Sequence, residues 1–213
     1  KSMKEYFAAK GRDIDTLDRY GYDVTEDGTA VIDISGIIEK KFDVWSWFFG
    51  GISTEFIQRD IEEALTDPKV VKILLNVNSP GGTVPGTKEL SDFIFANRDV
   101  KPIHTFADSL MASAAYWIGS AAKSINTFDT SYVGSIGVYT MHIDASKAYD
   151  EAGYKVTFIK AGSQKTAGNP YEPLSDEAKK ILQDRVNKTY DMFTADVARN
   201  RGQSVEYVKA EMA

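Results

Sequence analysis

Val70-Val71-Lys72-Ile73-Leu74-Leu75-Asn76-Val77-Asn78-Ser79-Pro80-Gly81-Gly82 is the stretch that decides the fold class of this 213-residue chain. Residues 70–77 are nearly continuous in apolar side chains, as in strands of a parallel sheet covered on both faces. Asn78 to Gly82 then carries a sharp turn signal. A helical pattern follows from about Val84 to Asn97, and a third strand is expected over Pro102–Ala107. Upstream, residues 53–66 place Phe56, Ile57, Ile61, Ala64 and Leu65 on one helical face, with Ser53 as N-cap and Pro68 past the end. Before that helix, Ala30–Ile38 reads as a β-branched strand closed by Glu39-Lys40-Lys41. Strands alternating with helices imply βαβ units, hence an α/β fold with a mostly parallel sheet.

The pattern continues toward the C-terminus. Ser113–Lys123 is small, apolar and helix-compatible; Ser124–Phe128 reads as a short strand and Tyr132–Tyr139 is punctuated by glycine. Residues 144–153 suit a helix ended by Gly153, and Tyr154–Lys160 suits a strand. The longest helical pattern is 175–200, with Ile181, Leu182, Val186, Tyr190, Phe193 and Val197 on one stripe. Residues 1–27 are polar and mixed in charge and read as an N-terminal arm. No repeat, linker or low-complexity tract divides residues 28–213, which are expected to form a single domain.

Composition narrows the chemistry. The chain has no Cys, which excludes a disulfide scaffold, a thiol nucleophile, a Cys-ligated zinc and an iron–sulfur cluster. Only His104 and His142 are present, too few for a His-rich metal site. A net charge of −6 argues against nucleic-acid binding, which favours a basic face. No apolar run reaches the roughly 20 residues of a membrane span. No signal-peptide pattern opens the chain, so a soluble, cytoplasmic protein is expected.

Two strand-to-helix junctions can carry chemistry. At Asn78–Gly82, paired glycines let a backbone approach a ligand with its N–H groups aimed at negative charge, although a lone Pro-Gly-Gly is more often an ordinary turn. At Ala107–Tyr116, Ser113 lies among small residues where a helix begins. That suits a nucleophile beside the Ala114 N–H, or simply an N-cap. A Ser nucleophile needs a base. His104 lies inside an apolar strand and reads as a packed histidine; His142 follows Met141 and reads as polar surface. Lys165, in the small-residue loop 160–168, serves only if it is neutral at working pH, and otherwise reads as a solvated loop lysine. Val44-Trp45-Ser46-Trp47-Phe48-Phe49 suits either core or oligomer packing or the wall of a substrate groove.

Taken together, Ser79-Pro80-Gly81-Gly82, Ala112–Tyr116, Gly134-Ser135-Ile136-Gly137-Val138 and Ala161-Gly162-Ser163-Gln164-Lys165 resemble the ordered motifs of signal peptide peptidase A-type serine peptidases, family S49. The resemblance covers roughly residues 30–210 and implies the Clp protease/crotonase-like fold. Gly168-Asn169-Pro170-Tyr171 and the helix after it are similar to the phage capsid-assembly or prohead protease branch. The family pattern implies Ser113 as nucleophile and Lys165 as general base, with the Gly82 and Ala114 amides as oxyanion donors and Gly81 shaping the turn. It implies a polypeptide substrate (scaffold, capsid protein or signal peptide), no metal or cofactor, and a homo-oligomeric ring in which Ser and Lys can come from neighbouring subunits. A phage setting would place it in the host cytoplasm or the prohead. Ala114-Ala115 stands where many relatives carry Gly-Gly, and the family's C-terminal strand-and-turn segment is expected beyond Met212. Alternatives are a signal-peptide-degrading peptidase, a catalytically weak capsid-scaffold protein acting by self-association, and a crotonase-like acyl-CoA enzyme, which the Ser and Lys pairing disfavours.

Overall fold

A computed structural model describes residues 21–41 and 50–213. Among them a seven-stranded sheet runs in the order β1-β2-β4-β5-β6, with β3 beside β2 and β7 beside β5. The strands are β1 (Asp23–Val24), β2 (Thr29–Glu39), β3 (Ile52–Ser53), β4 (Lys72–Gly82), β5 (Ile103–Ala112), β6 (Ser124–Thr127) and β7 (Tyr132–Gly134). Only the β1–β2 pair is antiparallel; every other pair is parallel. The α/β class with a mostly parallel sheet is therefore what the chain adopts. Helices α1 (Thr54–Thr66), α2 (Thr87–Asn97) and α3 (Ala114–Gly119) follow β3, β4 and β5 respectively.

The core forms where helix faces meet the sheet. Ile73, Leu75 and Val77 of β4 are fully buried, as are Ile57 and Ile61 of α1 and Ile94 of α2. Each such side chain contributes roughly 1.5–3 kcal/mol through removal from water. The opposite face of β4 is only half buried, and there Asn76 Nδ2 donates to Asp33 Oδ1 at 2.8 Å. The apolar run of 70–77 therefore overstates how thoroughly the second face is covered.

Helix α1 begins as its sequence predicts. Ser53 Oγ accepts from the Glu55 and Phe56 N–H groups at 3.1 and 3.3 Å, a cap worth about 1 kcal/mol. At its other end Lys101 Nζ donates to the Ala64 and Asp67 carbonyls at 2.9 and 2.7 Å, satisfying acceptors that the helix leaves open.

Three expectations need correction or restriction. Asn78–Gly82 is not a turn: β4 continues to Gly82 through a register shift between Val77 and Ser79, matched by one in β2 between Ser35 and Ile37. β5 likewise runs to Ala112 rather than ending at Ala107, because β7 pairs with its last three residues. Tyr154–Lys160 forms no strand; Tyr154, Val156 and Ile159 are exposed, and no described strand supplies the ladder it would need. The aromatic run 44–49 and residues 1–20 lie outside the described residues.

The described chain packs as two units. One holds the chain up to Ile136 together with Asp196–Ala213, and the other is Gly137–Ala195. The second unit contains α4 (Ser146–Glu151), which is joined to the loop after it by edge-on contact of Tyr149 with Tyr171 at 4.9 Å and by the Ala145 N–H donating to the Pro170 carbonyl at 2.8 Å. Helix α5 (Asp176–Arg201) starts in this unit and ends in the first.

Candidate active site

The ends of β4 and β5 meet at one backbone knot. Ser79 is wholly buried; its hydroxyl donates to the Gly36 carbonyl at 2.6 Å and accepts from the Gly81 N–H at 3.1 Å. Gly81 follows with φ +97, and a Cβ there would stand 2.7 Å from Ala112 O, 2.8 Å from Ala114 N and 2.8 Å from Ser113 Cβ. Only glycine fits, in conformation and in space. Gly82 is equally constrained from the other side, where a Cβ would lie 1.8 Å from the Ile38 carbonyl oxygen. The Thr83 N–H donates to that same oxygen at 2.8 Å.

Against Gly81 stands Ser113, between the last residue of β5 and the first of α3. Its φ is 54 and its ψ −123, a conformation that L residues avoid and that costs of order 1–3 kcal/mol. Among the described residues only Ser135 shares a positive φ without being glycine. The surroundings hold Ser113 in place. Its N–H donates to the Gly134 carbonyl at 2.9 Å, its own carbonyl accepts from the Trp117 N–H at 2.9 Å, and Gly81 packs against its Cβ. The side chain makes no N-cap hydrogen bond to α3, which removes the simplest structural reason for a serine here. Residues 114–119 are all buried, and burial pushes the Tyr116 hydroxyl's pKa up. A strained serine at a strand-to-helix junction, with glycine backbone pressed against it, has the form of a nucleophile elbow.

The structure thus brings Ser113, Ala114, Gly81 and Gly82 together in the first unit. Lys165 belongs to the second, in an exposed turn where its N–H donates to the Gly162 carbonyl at 3.3 Å. Its ammonium makes no ion pair among the described residues. The histidines fall elsewhere. His104 Nδ1 lies 2.8 Å from Ser124 Oγ at the N-terminal ends of β5 and β6, and about 25–30 Å of strand separates it from Ser113. His142 lies in the second unit with Nδ1 3.4 Å from the Gly168 carbonyl and a buried, unpartnered Nε2. Sequence reading missed Ser79, whose hydroxyl sets the approach of Gly81. The available signal was a serine two residues before the paired glycines, placed to accept from their backbone.

Comparison with known proteins bears on the chain's family. The sequence profile of peptidase family S49 matches residues 96–212. The chain is 34% identical over 181 residues to capsid assembly protease C of Escherichia phage lambda, covering 85% of this chain and 41% of that protein. It is 31% identical over 181 residues to head-tail preconnector protein GP5 of Enterobacteria phage P21, covering 85% of this chain and 36% of that one. The chain therefore spans about two fifths of the length of these relatives. Among solved structures it is similar to a ClpP1 variant from Listeria monocytogenes, with 16% identity, a TM-score of 0.47 and coverage of 85% of this chain and 78% of that one.

Proposed function

The chain belongs to peptidase family S49, and from that premise we propose that it is a serine endopeptidase in which Ser113 attacks the peptide carbonyl and Lys165 is the general base. The observation that carries the assignment is the backbone of Ser113: a strained serine, unused as a cap, beneath the Gly81–Gly82 backbone. In this mechanism the neutral Lys165 amine takes the Ser113 proton as Oγ adds to the carbonyl carbon. The Gly82 and Ala114 N–H groups donate to the resulting oxyanion. The Lys165 ammonium then protonates the leaving amine, and a water molecule, deprotonated by the same lysine, releases the acyl group. Ala114 in place of glycine leaves its N–H donor intact, so the departure from the Gly-Gly pattern removes no group from the site.

The substrate in this reading is a protein of an assembling phage capsid, since the two phage relatives match over 181 residues each. The setting is then the host cytoplasm or prohead, with residues 28–213 as the peptidase region of a homo-oligomeric ring. No described helix is long and apolar enough to cross a membrane.

The test uses folded Ser113→Ala, Lys165→Ala and Lys165→Arg variants, assayed on scaffold protein and with a fluorophosphonate probe. Each is expected to lose at least about 10³-fold in cleavage rate, because residues acting as a unit fail together. Arginine does not rescue, since a guanidinium cannot surrender its proton. Wild-type cleavage by any of the three refutes the pairing.

A further inference from the structure

A polar network joins the end of α5 to the junction at Ser113. Trp117 is the hub. Its N–H fixes the Ser113 carbonyl at 2.9 Å, the first hydrogen bond of α3. Its indole Nε1 donates to Asp196 Oδ2 at 2.8 Å, within a site where Trp117 is 2% and Asp196 6% exposed. Its carbonyl accepts from Ser91 Oγ at 3.1 Å and Ser120 Oγ at 2.8 Å. Asn200 Nδ2, one helical turn beyond Asp196, donates to both of those hydroxyls, at 3.2 and 3.0 Å. The Asp196 carboxylate also accepts from Lys88 Nζ, at 3.2 Å to each oxygen, and lies 3.5 Å from Arg199 Nη1.

We propose that Asp196 and Asn200 are positioning residues for the nucleophile: gripping Trp117, they hold the carbonyl of Ser113 and so keep its backbone in the strained conformation that presents Oγ. This rests on Ser113 being the nucleophile. A φ of 54 persists only where the surroundings over-determine it. On one side of Ser113 that restraint is Gly81 and the Gly134 carbonyl; on the other it is the Trp117 N–H. Trp117 in turn is fixed at its indole and at its carbonyl, and both fixings end on a single face of α5. The arrangement exceeds what packing alone requires, because an indole filling an apolar site needs only one acceptor for its N–H. Here the acceptor is a buried carboxylate with its own cation, and the main chain of the same residue is bound as well.

The experiment compares wild type with Trp117→Phe, Asp196→Leu and Lys88→Gln. Trp117→Phe keeps the ring and deletes the donor. Asp196→Leu keeps the bulk and deletes the acceptor. Lys88→Gln weakens the network at its outer end without touching Trp117. Two readouts are taken on each folded variant: the saturating rate constant and half-saturation of fluorophosphonate labelling at Ser113, and hydrogen exchange of the 114–118 amides. For Trp117→Phe the labelling rate constant is expected to fall about tenfold with half-saturation unchanged, as a small misplacement of a reacting group would cause. Amide exchange is expected to quicken in the same variant. Asp196→Leu should lose labelling rate by a similar factor of about ten, and Lys88→Gln should lose thermal stability while labelling at the wild-type rate. Unchanged labelling in Trp117→Phe, or a loss that tracks melting temperature across all three variants, overturns the proposal. Wild-type protein that is not labelled at Ser113 refutes the nucleophile and its positioning together; the exchange data then separate that outcome from a failed clamp.

Discussion

Ser113 occupies backbone space that a side chain makes costly, and this gives a direct residue-scale expectation. Its angles are those of the first central position of a type II′ turn, where glycine is the favoured residue. Ser113→Gly is therefore expected to abolish cleavage and to raise stability by about 1 kcal/mol, read as a higher midpoint in urea. Gly81→Ala should lower stability instead. Its Cβ must displace the Ala112 carbonyl and the Ala114 amide, so a loss of at least ~2 kcal/mol is expected, with labelling of Ser113 suppressed even in protein that remains folded. Ser79→Ala leaves the Gly36 carbonyl and the Gly81 N–H without their shared partner, and equilibrium unfolding should register about 1–3 kcal/mol. Much of this was legible in the letters. Small residues around Ser113 and the paired glycines mark the two places where backbone comes close to backbone. The strain itself was not, because a φ angle is a property of the surroundings and not of the serine.

At the scale of elements, periodicity read the helices well and the end of β4 badly. Helix α1 is correct to its cap because the Ser53 hydroxyl, the apolar face and Pro68 all act locally. Asn78–Gly82 carries every local mark of a turn, yet β2 on one side and the Ser113 junction on the other hold it extended, a tertiary effect that no window of residues contains. The reverse happened at Tyr154–Lys160, where strand-like residues find no neighbour to pair with. Within α1, Asp60 departs from the pattern as a carboxylate on the buried face, 3% exposed. Burial raises its pKa, although the guanidinium of Arg59 at 3.0 Å works against the shift. A raised folded value means that ionised Asp60 opposes folding once the pH exceeds it. Asp60→Asn is expected to melt higher than wild type at pH 7, and the advantage should shrink as the pH falls through the folded value and vanish below about pH 3, where both states are protonated.

For the whole molecule the balance of carboxylates runs the other way. Asp27, Asp67, Asp92, Asp99 and Asp144 are all held below the ordinary value. Asp27 owes this first to the Thr25 hydroxyl, Asp67 to the Lys69 N–H, Asp99 to Lys123 and Asp144 to Ser146; at Asp92, burial opposes the shift and the bonds from Lys88 and Arg199 outweigh it. Their contribution is complete above the unfolded range near pH 4 and is lost as the pH drops through the folded values, so the melting temperature should fall steadily between about pH 4 and pH 2. Added salt should shrink the part of the effect that comes from exposed pairs. The strand order of the sheet also has a consequence in time. From β1 to β6 the central path follows the order of synthesis, so each strand leaving a ribosome finds its neighbour already made. The grip on Trp117 breaks that sequence, since Asp196 lies 79 residues later in the chain. At ~5–20 residues per second the interval is on the order of 4–16 s. During it the nascent chain holds its sheet and its serine but not the proposed restraint on that serine, so on the proposed mechanism hydrolytic competence lags behind the sheet.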